Sequence, residues 1–231
     1  MKIYCDSASI EDVKKYAADV SISGFTTNPT LMKKAGIVDY IQFARNAAEA
    51  SSDKPISFEV FSNDTVEIKK QALLLSSLGK NVFVKITPQN YDGSSLLDII
   101  SYLSHAGVQL NVTAVFTVSQ VKKIVNVLDK QTACIISIFA GRIADAGVDP
   151  EPIVAESKSL VSQLTSKWEI LWASPREVFN IVQAERSGAD IITATPDLLI
   201  KRKVFGKDLE EFSLETARMF MNDARAAGYK L

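Results

Sequence analysis

Eight short β-rich runs recur along this chain, and each is followed by a longer segment of helical period. The runs are Ile3–Asp6, Ile22–Thr26, Ile56–Val60, Val82–Ile86, Val108–Thr113, Cys134–Phe139, Ile170–Ser174 and Ile191–Thr195. Several are almost continuously apolar, the pattern of strands covered on both faces. The intervening segments read as helices: Asp64–Leu78, with Val66, Leu73, Leu74 and Leu78 apolar, then Ser94–His105, Thr117–Leu128 and Pro150–Leu164. Gly24, Gly79, Gly107 and Gly188 stand where helix C-caps are expected before the next strand. Eight strand–helix units in 231 residues predict an α/β fold, a compact (β/α)8 TIM barrel forming a single domain over residues 1–231. An open doubly wound sheet is the rival. The even strand count and the lack of a GxGxxG turn after the first strand weigh against it.

Composition narrows the function classes. With 47% hydrophobic residues the chain can bury a full core, and 26 Lys plus Arg against 27 Asp plus Glu leave a net charge of −1. That balance gives no electrostatic footprint for nucleic acid or an anionic membrane. No apolar stretch has the length of a membrane span. The opening residues Met1–Asp6 read as a strand rather than a signal peptide. Only Cys5 and Cys134 occur, both inside strand-like runs, so a disulfide framework is not expected and a reducing cytoplasm fits. No Cys/His cluster with metal-ligand spacing exists, and no metal or cofactor is expected.

Lys85 interrupts the run Val82-Phe83-Val84-Lys85-Ile86 where a buried strand should end. Taken alone, a strand-edge lysine with its ammonium in water explains that. Its company argues otherwise. Burial strips an amine of solvation and favours the neutral form, which can attack a carbonyl to give a Schiff base. In a (β/α)8 barrel, chemistry sits at the C-terminal ends of the strands. Asp6, Thr26, Asn28, Glu59, Lys85, Asn111, Thr113, Ser137, Arg142, Ser174 and Arg176 all fall there or just beyond. Each alone could be a helix cap or a satisfied core polar group. Together they predict a site. Asn111-Val112-Thr113 also has the form of a glycosylation sequon, but in a predicted buried strand.

These segments resemble the transaldolase family. Thr26-Thr27-Asn28-Pro29 looks like its TTNP signature, and Val84-Lys85-Ile86 like its Schiff-base lysine strand. Asn111-Val112-Thr113-Ala114-Val115-Phe116 resembles N-x-T-x-x-F, Ser137–Ile143 resembles S-P-F-x-G-R-I, and Ala173-Ser174-Pro175-Arg176 resembles the phosphate segment A-S-F-R. The likeness spans nearly the whole chain in order, and the length is that of the small branch, which includes fructose-6-phosphate aldolases.

The resemblance implies that neutral Lys85 attacks the C2 ketone of a ketose phosphate. The resulting iminium serves as the electron sink for C3–C4 cleavage. Asp6 is expected to be the general acid/base. The single histidine, His105, falls at a helix C-terminus on the opposite end of the barrel, leaving acid/base work to carboxylates. The resemblance further implies that Glu59 and Thr113 hold the proton-shuttling water. Thr26, Asn28, Asn111 and Ser137 would then bind the dihydroxyacetone unit, while Arg142, Ser174 and Arg176 grip phosphate. Glu59 and Phe139 stand where small-branch aldolases usually carry Gln and Tyr, and those aldolases lack the Asn-x-Thr pair. This favours a transaldolase of the pentose phosphate pathway, acting on fructose 6-phosphate or sedoheptulose 7-phosphate, over an aldolase. Ile138, Pro175 and a longer segment Ile86–Gly93 depart from the pattern near the phosphate end and the site mouth. A different C6 substituent, such as a sulfonate, is therefore an alternative. A barrel that binds sugar phosphates without turnover needs only the arginines, and a deoxyribose-phosphate-type aldolase would call for a second strand-end lysine. The segment 208–231 reads as an amphipathic helix; by resemblance it packs on a neighbouring subunit of a homo-oligomer, a ring or decamer.

Overall fold

Eight parallel strands close into a barrel in sequence order, so the first pairs with both the second and the last. A computed structural model describes residues 1–230. The strands are β1 (Lys2–Asp6), β2 (Gly24–Thr26), β3 (Ile56–Glu59), β4 (Val82–Ile86), β5 (Leu110–Val115), β6 (Cys134–Ile138), β7 (Trp168–Trp172) and β8 (Ile191–Ala194). Around them run α1 (Ile10–Ala17), α2 (Pro29–Lys34), α3 (Tyr40–Ala50), α4 (Thr65–Ser76), α5 (Leu97–His105), α6 (Val118–Val125), α7 (Ala140–Asp145), α8 (Glu151–Ser162), α9 (Asn180–Arg186) and α10 (Pro196–Lys201). The barrel is a (β/α)8 TIM barrel contained in the compact unit Met1–Leu199.

Strand alternation divides the core in two. Outward residues such as Cys5, Phe58, Val84, Ile86, Val112, Ile136 and Trp172 pack under the helices. Inward residues Tyr4, Phe83, Ile135, Leu171 and Ile191 fill the barrel centre as a separate apolar layer. At the strands' N-terminal end Lys2 pairs with Glu169 at 2.8 Å. The inward positions beyond the apolar layer are polar, so the site lies on a packed floor.

The helices begin where side chains satisfy free backbone N–H groups. Ser9, Asp39 and Asp64 accept from the third residue onward in α1, α3 and α4. Thr117 and Gln120 form a reciprocal capping box at α6. The apolar face of α4 differs from expectation. Ile68, Ala72 and Leu75 are buried, whereas Val66, Leu73 and Leu74 face outward. Apolar residues fall on several faces of this helix, interleaved with Glu67, Lys69, Lys70 and Gln71, so the pattern alone did not fix which face is buried; the Ile68, Ala72, Leu75 stripe packs inward.

The expected cap at Gly24 is also different. Gly107 and Gly188 do have positive φ, 79° and 78°, but Gly24 opens β2 facing into the barrel. A Cβ there would lie 2.6–2.8 Å from the Tyr4 ring, so the glycine leaves room for the aromatic filler of the barrel centre. Strand β5 likewise starts at Leu110 rather than Val108, because the Val108 N–H is taken by the Leu103 carbonyl at the end of α5.

The second compact unit runs from Ile200 onward and contains a 3-10 turn, Arg202–Val204, and α11 (Leu209–Ala226). Asp208 caps α11 by accepting from the Glu210 and Glu211 N–H groups. No residue of α11 is buried, and Leu209, Phe212, Leu214, Met219, Phe220 and Met221 are exposed. Among the described residues no helix is long and apolar enough to cross a membrane.

The close fit at Gly24 predicts that Gly24→Ala destabilises the barrel by about 1–3 kcal/mol, as overpacking does. In thermal denaturation the midpoint should fall by several degrees, and Tyr4→Leu in the same chain should recover part of the loss.

Candidate active site

Parallel register decides which side chains meet. Glu59 pairs with Lys85, and Lys85 with Asn111, so three inward side chains stand level on β3, β4 and β5. Asp6 stands level with Thr26 on β1 and β2. All twelve residues singled out in the sequence line one cavity of about 350 Å³: Asp6, Thr26, Asn28, Glu59, Lys85, Asn111, Thr113, Ser137, Phe139, Arg142, Ser174 and Arg176.

Lys85 is only 6% exposed. Its Nζ donates to the Thr27 carbonyl at 2.8 Å and lies 3.4 Å from Glu59 Oε2. Tyr40 from α3 donates to the Glu59 carbonyl at 2.6 Å and pins the end of β3. Asp6 accepts from Thr26 Oγ1 at 2.8 Å and from Asn28 Nδ2 at 3.3 Å. Burial pushes the Asp6 carboxyl above its usual range; Lys85 and the two hydrogen bonds pull it back, and Glu59 adds a small upward push. Asn28 has two duties. Its Oδ1 caps α2 by accepting from the Leu31 N–H at 2.9 Å, which aims its amide group at Asp6.

The next strands hold a second polar set. Asn111 donates to Ser57 at 3.0 Å and accepts from Ser137 at 2.6 Å, so its orientation is fixed from both sides. Thr113 is buried with its Oγ1 lacking any protein partner among the described residues, although it lines the cavity. Just after it, Ala114 adopts φ 55° where the β5–β6 register shifts.

The mouth is cationic and aromatic. The Arg142 guanidinium sits 5.7 Å from the Phe139 ring centre, and Phe139 lies 5.8 Å from Phe116. Arg176 is held by Asp145, its Nε at 3.0–3.1 Å from the two carboxylate oxygens and its Nη2 also bonded there. This edge-on grip leaves the Nη1 edge for an anion, the forked geometry that suits phosphate. The Arg176 guanidinium holds the Asp145 carboxyl below its usual range. Ser174 adopts φ 62°, and its carbonyl lies where a Cβ on Gly141 would be, 1.6 Å away. Only glycine at 141 allows that approach. The segment after Lys85 closes on itself through a Gln89–Ser95 bridge. His105 lies outside the cavity, bonded to Ser101 within α5.

Sequence reasoning missed Ser57, Thr193, Asp145 and the Thr27 carbonyl, all of which hold or flank site groups. The inward parity of β3 marks Ser57 and that of β8 marks Thr193, but nothing local marks Asp145, which is 31 positions from its arginine. Among the described residues no group of His, Cys, Asp and Glu could hold a metal ion.

Comparison with known proteins gives a consistent family. Residues 3–231 match the family described as Transaldolase/Fructose-6-phosphate aldolase. The chain belongs to that family. A relative from Dehalococcoides mccartyi named "Probable transaldolase" is 34% identical over 87% of this chain and 89% of its own. Another of the same name from a Thermoanaerobacter species is 31% identical over the full length of both chains. Among solved structures, dihydrodipicolinate synthase from Rhodopseudomonas palustris superposes with a TM-score of 0.56 at 13% identity, covering 84% of this chain and 69% of that one. At that identity the likeness concerns the barrel alone. The family and the names of its relatives point to a transaldolase-type enzyme.

The raised Asp6 carboxyl has a stability consequence with a definite sign. As pH rises, the unfolded chain loses the Asp6 proton near its ordinary 3.8, before the folded chain does. The folded state is thus penalised progressively from that pH up to the raised value, and fully above it. The midpoint of Asp6→Asn relative to the parent should therefore improve from below pH 4 toward neutrality. Thermal melts across that range check it. Equal differences at all pH values would contradict the burial account.

Proposed function

We propose that this protein is a transaldolase that carries a dihydroxyacetone unit as a Schiff base on Lys85. The buried Lys85 amine, level with Glu59 and facing Asp6 at the base of a cavity with two arginines at its mouth, carries this reading. Neutral Nζ would attack C2 of a ketose phosphate such as fructose 6-phosphate or sedoheptulose 7-phosphate. Loss of water from the carbinolamine gives the iminium, with Glu59 and the Thr113 hydroxyl holding that water. Asp6 then takes the C4 hydroxyl proton as the C3–C4 bond breaks, its electrons passing into the iminium to leave an enamine. The aldose phosphate departs, an acceptor aldehyde is attacked by the enamine, and Asp6 returns the proton to the new hydroxyl. Hydrolysis frees Lys85.

Asn28, Asn111 and Ser137 would bind hydroxyls of the three-carbon unit, while Arg142, Arg176 and Ser174 would grip the phosphate. The apolar Phe139 ring beside the cavity offers no hydroxyl to help water discharge the enamine, which favours transfer over simple aldol cleavage. We place the reaction among pentose phosphates in the cytoplasm. The exposed apolar residues of α11 support a homo-oligomer, a ring or decamer, in which a second copy covers them.

Borohydride reduction in the presence of fructose 6-phosphate should leave a dihydroxyacetone adduct on the Lys85 peptide, found by mass spectrometry. Lys85→Ala should lose the adduct and essentially all turnover while keeping its circular dichroism; turnover near the parental rate would end this mechanism. Erythrose 4-phosphate should be needed for steady turnover, and sustained release of free dihydroxyacetone without acceptor would identify an aldolase. Arg142→Ala should raise the donor KM by about tenfold or more, consistent with loss of a charge-assisted phosphate contact. Light scattering should show an assembly; a clean monomer at micromolar concentration would refute the subunit contact.

A further inference from the structure

The Asp6 carboxylate does not end its hydrogen bonding at Thr26. Thr193 Oγ1, inward on β8, lies 2.5 Å from Thr26 Oγ1, which lies 2.8 Å from Asp6 Oδ1. Both threonines are nearly buried, 3% and 5% exposed, and both line the cavity. Three strands adjacent around the barrel, β8, β1 and β2, thus contribute one chain of hydroxyls ending on the carboxyl.

A hydroxyl has one proton to give. When Asp6 is a carboxylate, Thr26 spends that proton on Oδ1, so Thr193 must donate to Thr26. When Asp6 carries a proton on Oδ1, Asp6 donates to Thr26, whose own proton then turns to Thr193. The Thr193 proton is left to face the cavity, where water or substrate can accept it. The other carboxylate oxygen is occupied by the Asn28 amide, a donor in either state. The charged groups facing Asp6 are Lys85 from β4 and Glu59 from β3.

We propose that Thr193 is a positioning residue for Asp6, and that the Thr193–Thr26 pair reverses its direction of donation as Asp6 loses and regains its proton. Such reversal keeps both protonation states hydrogen-bonded, which a group that takes and returns one proton per cycle requires. Its catalytic meaning rests on the transaldolase reading; the reversal itself does not.

The variants Thr193→Val and Thr26→Val move Asp6 in opposite directions. Val at 193 removes the bond to Thr26 in both states, but it leaves every donor paired when Asp6 is a carboxylate and strands the Thr26 proton when Asp6 is protonated. It should therefore lower the titration midpoint of Asp6, by about one pH unit for an orphaned buried donor. Val at 26 removes a charge-assisted bond from the carboxylate, a larger loss than the neutral bond taken from the protonated carboxyl, and should raise the midpoint. The measurement is the 13C shift of the Asp6 carboxyl against pH in the substrate-free folded protein, assigned by its loss in Asp6→Asn. Thr193→Ser should restore parental behaviour, and Thr193→Ala substitutes if the valine variant does not fold. Midpoints unmoved by Thr193→Val, or moved equally by Val and Ser, would overturn the proposal. In turnover, the acidic limb of aldehyde release from fructose 6-phosphate should shift down with Thr193→Val and return with Ser. A parent that forms no borohydride adduct would refute the transaldolase reading, while the carboxyl titration would still decide the hydroxyl chain.

Discussion

The parallel register of β3, β4 and β5 fixes how the whole site is assembled. It sets Glu59, Lys85 and Asn111 level on strands about 4.8 Å apart, with all three side chains inward. A one-residue slip of β4 would turn Lys85 out among the residues that pack under the helices and bring Val84 or Ile86 into the barrel. What prevents the slip is burial on the other face: Val82, Val84 and Ile86 are each at most 1% exposed. The arrangement of these polar groups thus depends on apolar packing on the opposite face of the same strands. Gly24 and Tyr4 perform the same service below, filling the barrel centre so that the polar rim rests on a packed floor.

Charge is separated along the cavity. Deep inside, one buried amine faces two half-buried carboxylates, so every group there depends on the others. A buried charge left without its partner costs several kcal/mol, about 3–5 when one member of a pair is removed. At the mouth the order is reversed: Arg142 and Arg176 are exposed, and the Asp145 contact is a surface pair that solvent and salt screen. A tightly held inner end and a readily rearranged cationic mouth would suit the proposed ketose phosphate, whose carbonyl must be held in one orientation.

The barrel was legible in the chain because eight apolar runs alternate with helical periods, and strand-end polar residues have few structural reasons to cluster. Lys85, Asp6 and Glu59 announced themselves as charges in strands. Harder to read were features set by tertiary contact. The phase of α4 was hidden by apolar residues on several of its faces, and Gly24 looked like a cap because its reason, the Tyr4 ring, is 20 residues away and becomes visible only once the two strands pair. Ser57 and Thr193 carry ordinary strand hydroxyls whose partners lie on other strands. Asp145 looks like one more surface acid until the barrel brings Arg176 beside it.

Two non-glycine residues of the cavity wall have left-handed backbones, Ala114 at φ 55° and Ser174 at φ 62°. Such conformations cost of order 1–3 kcal/mol each and persist only where the surroundings enforce them. Each has an identifiable enforcer. Ala114 sits in the register shift of β5 against β6, immediately after the partnerless Thr113 hydroxyl. Ser174 is held by its carbonyl seated on Gly141, in the same turn that presents Arg142. The strain therefore falls beside the residue proposed to hold the reacting water and beside the pair proposed to hold phosphate. The packing that enforces both conformations is therefore also what sets the backbone next to those side chains.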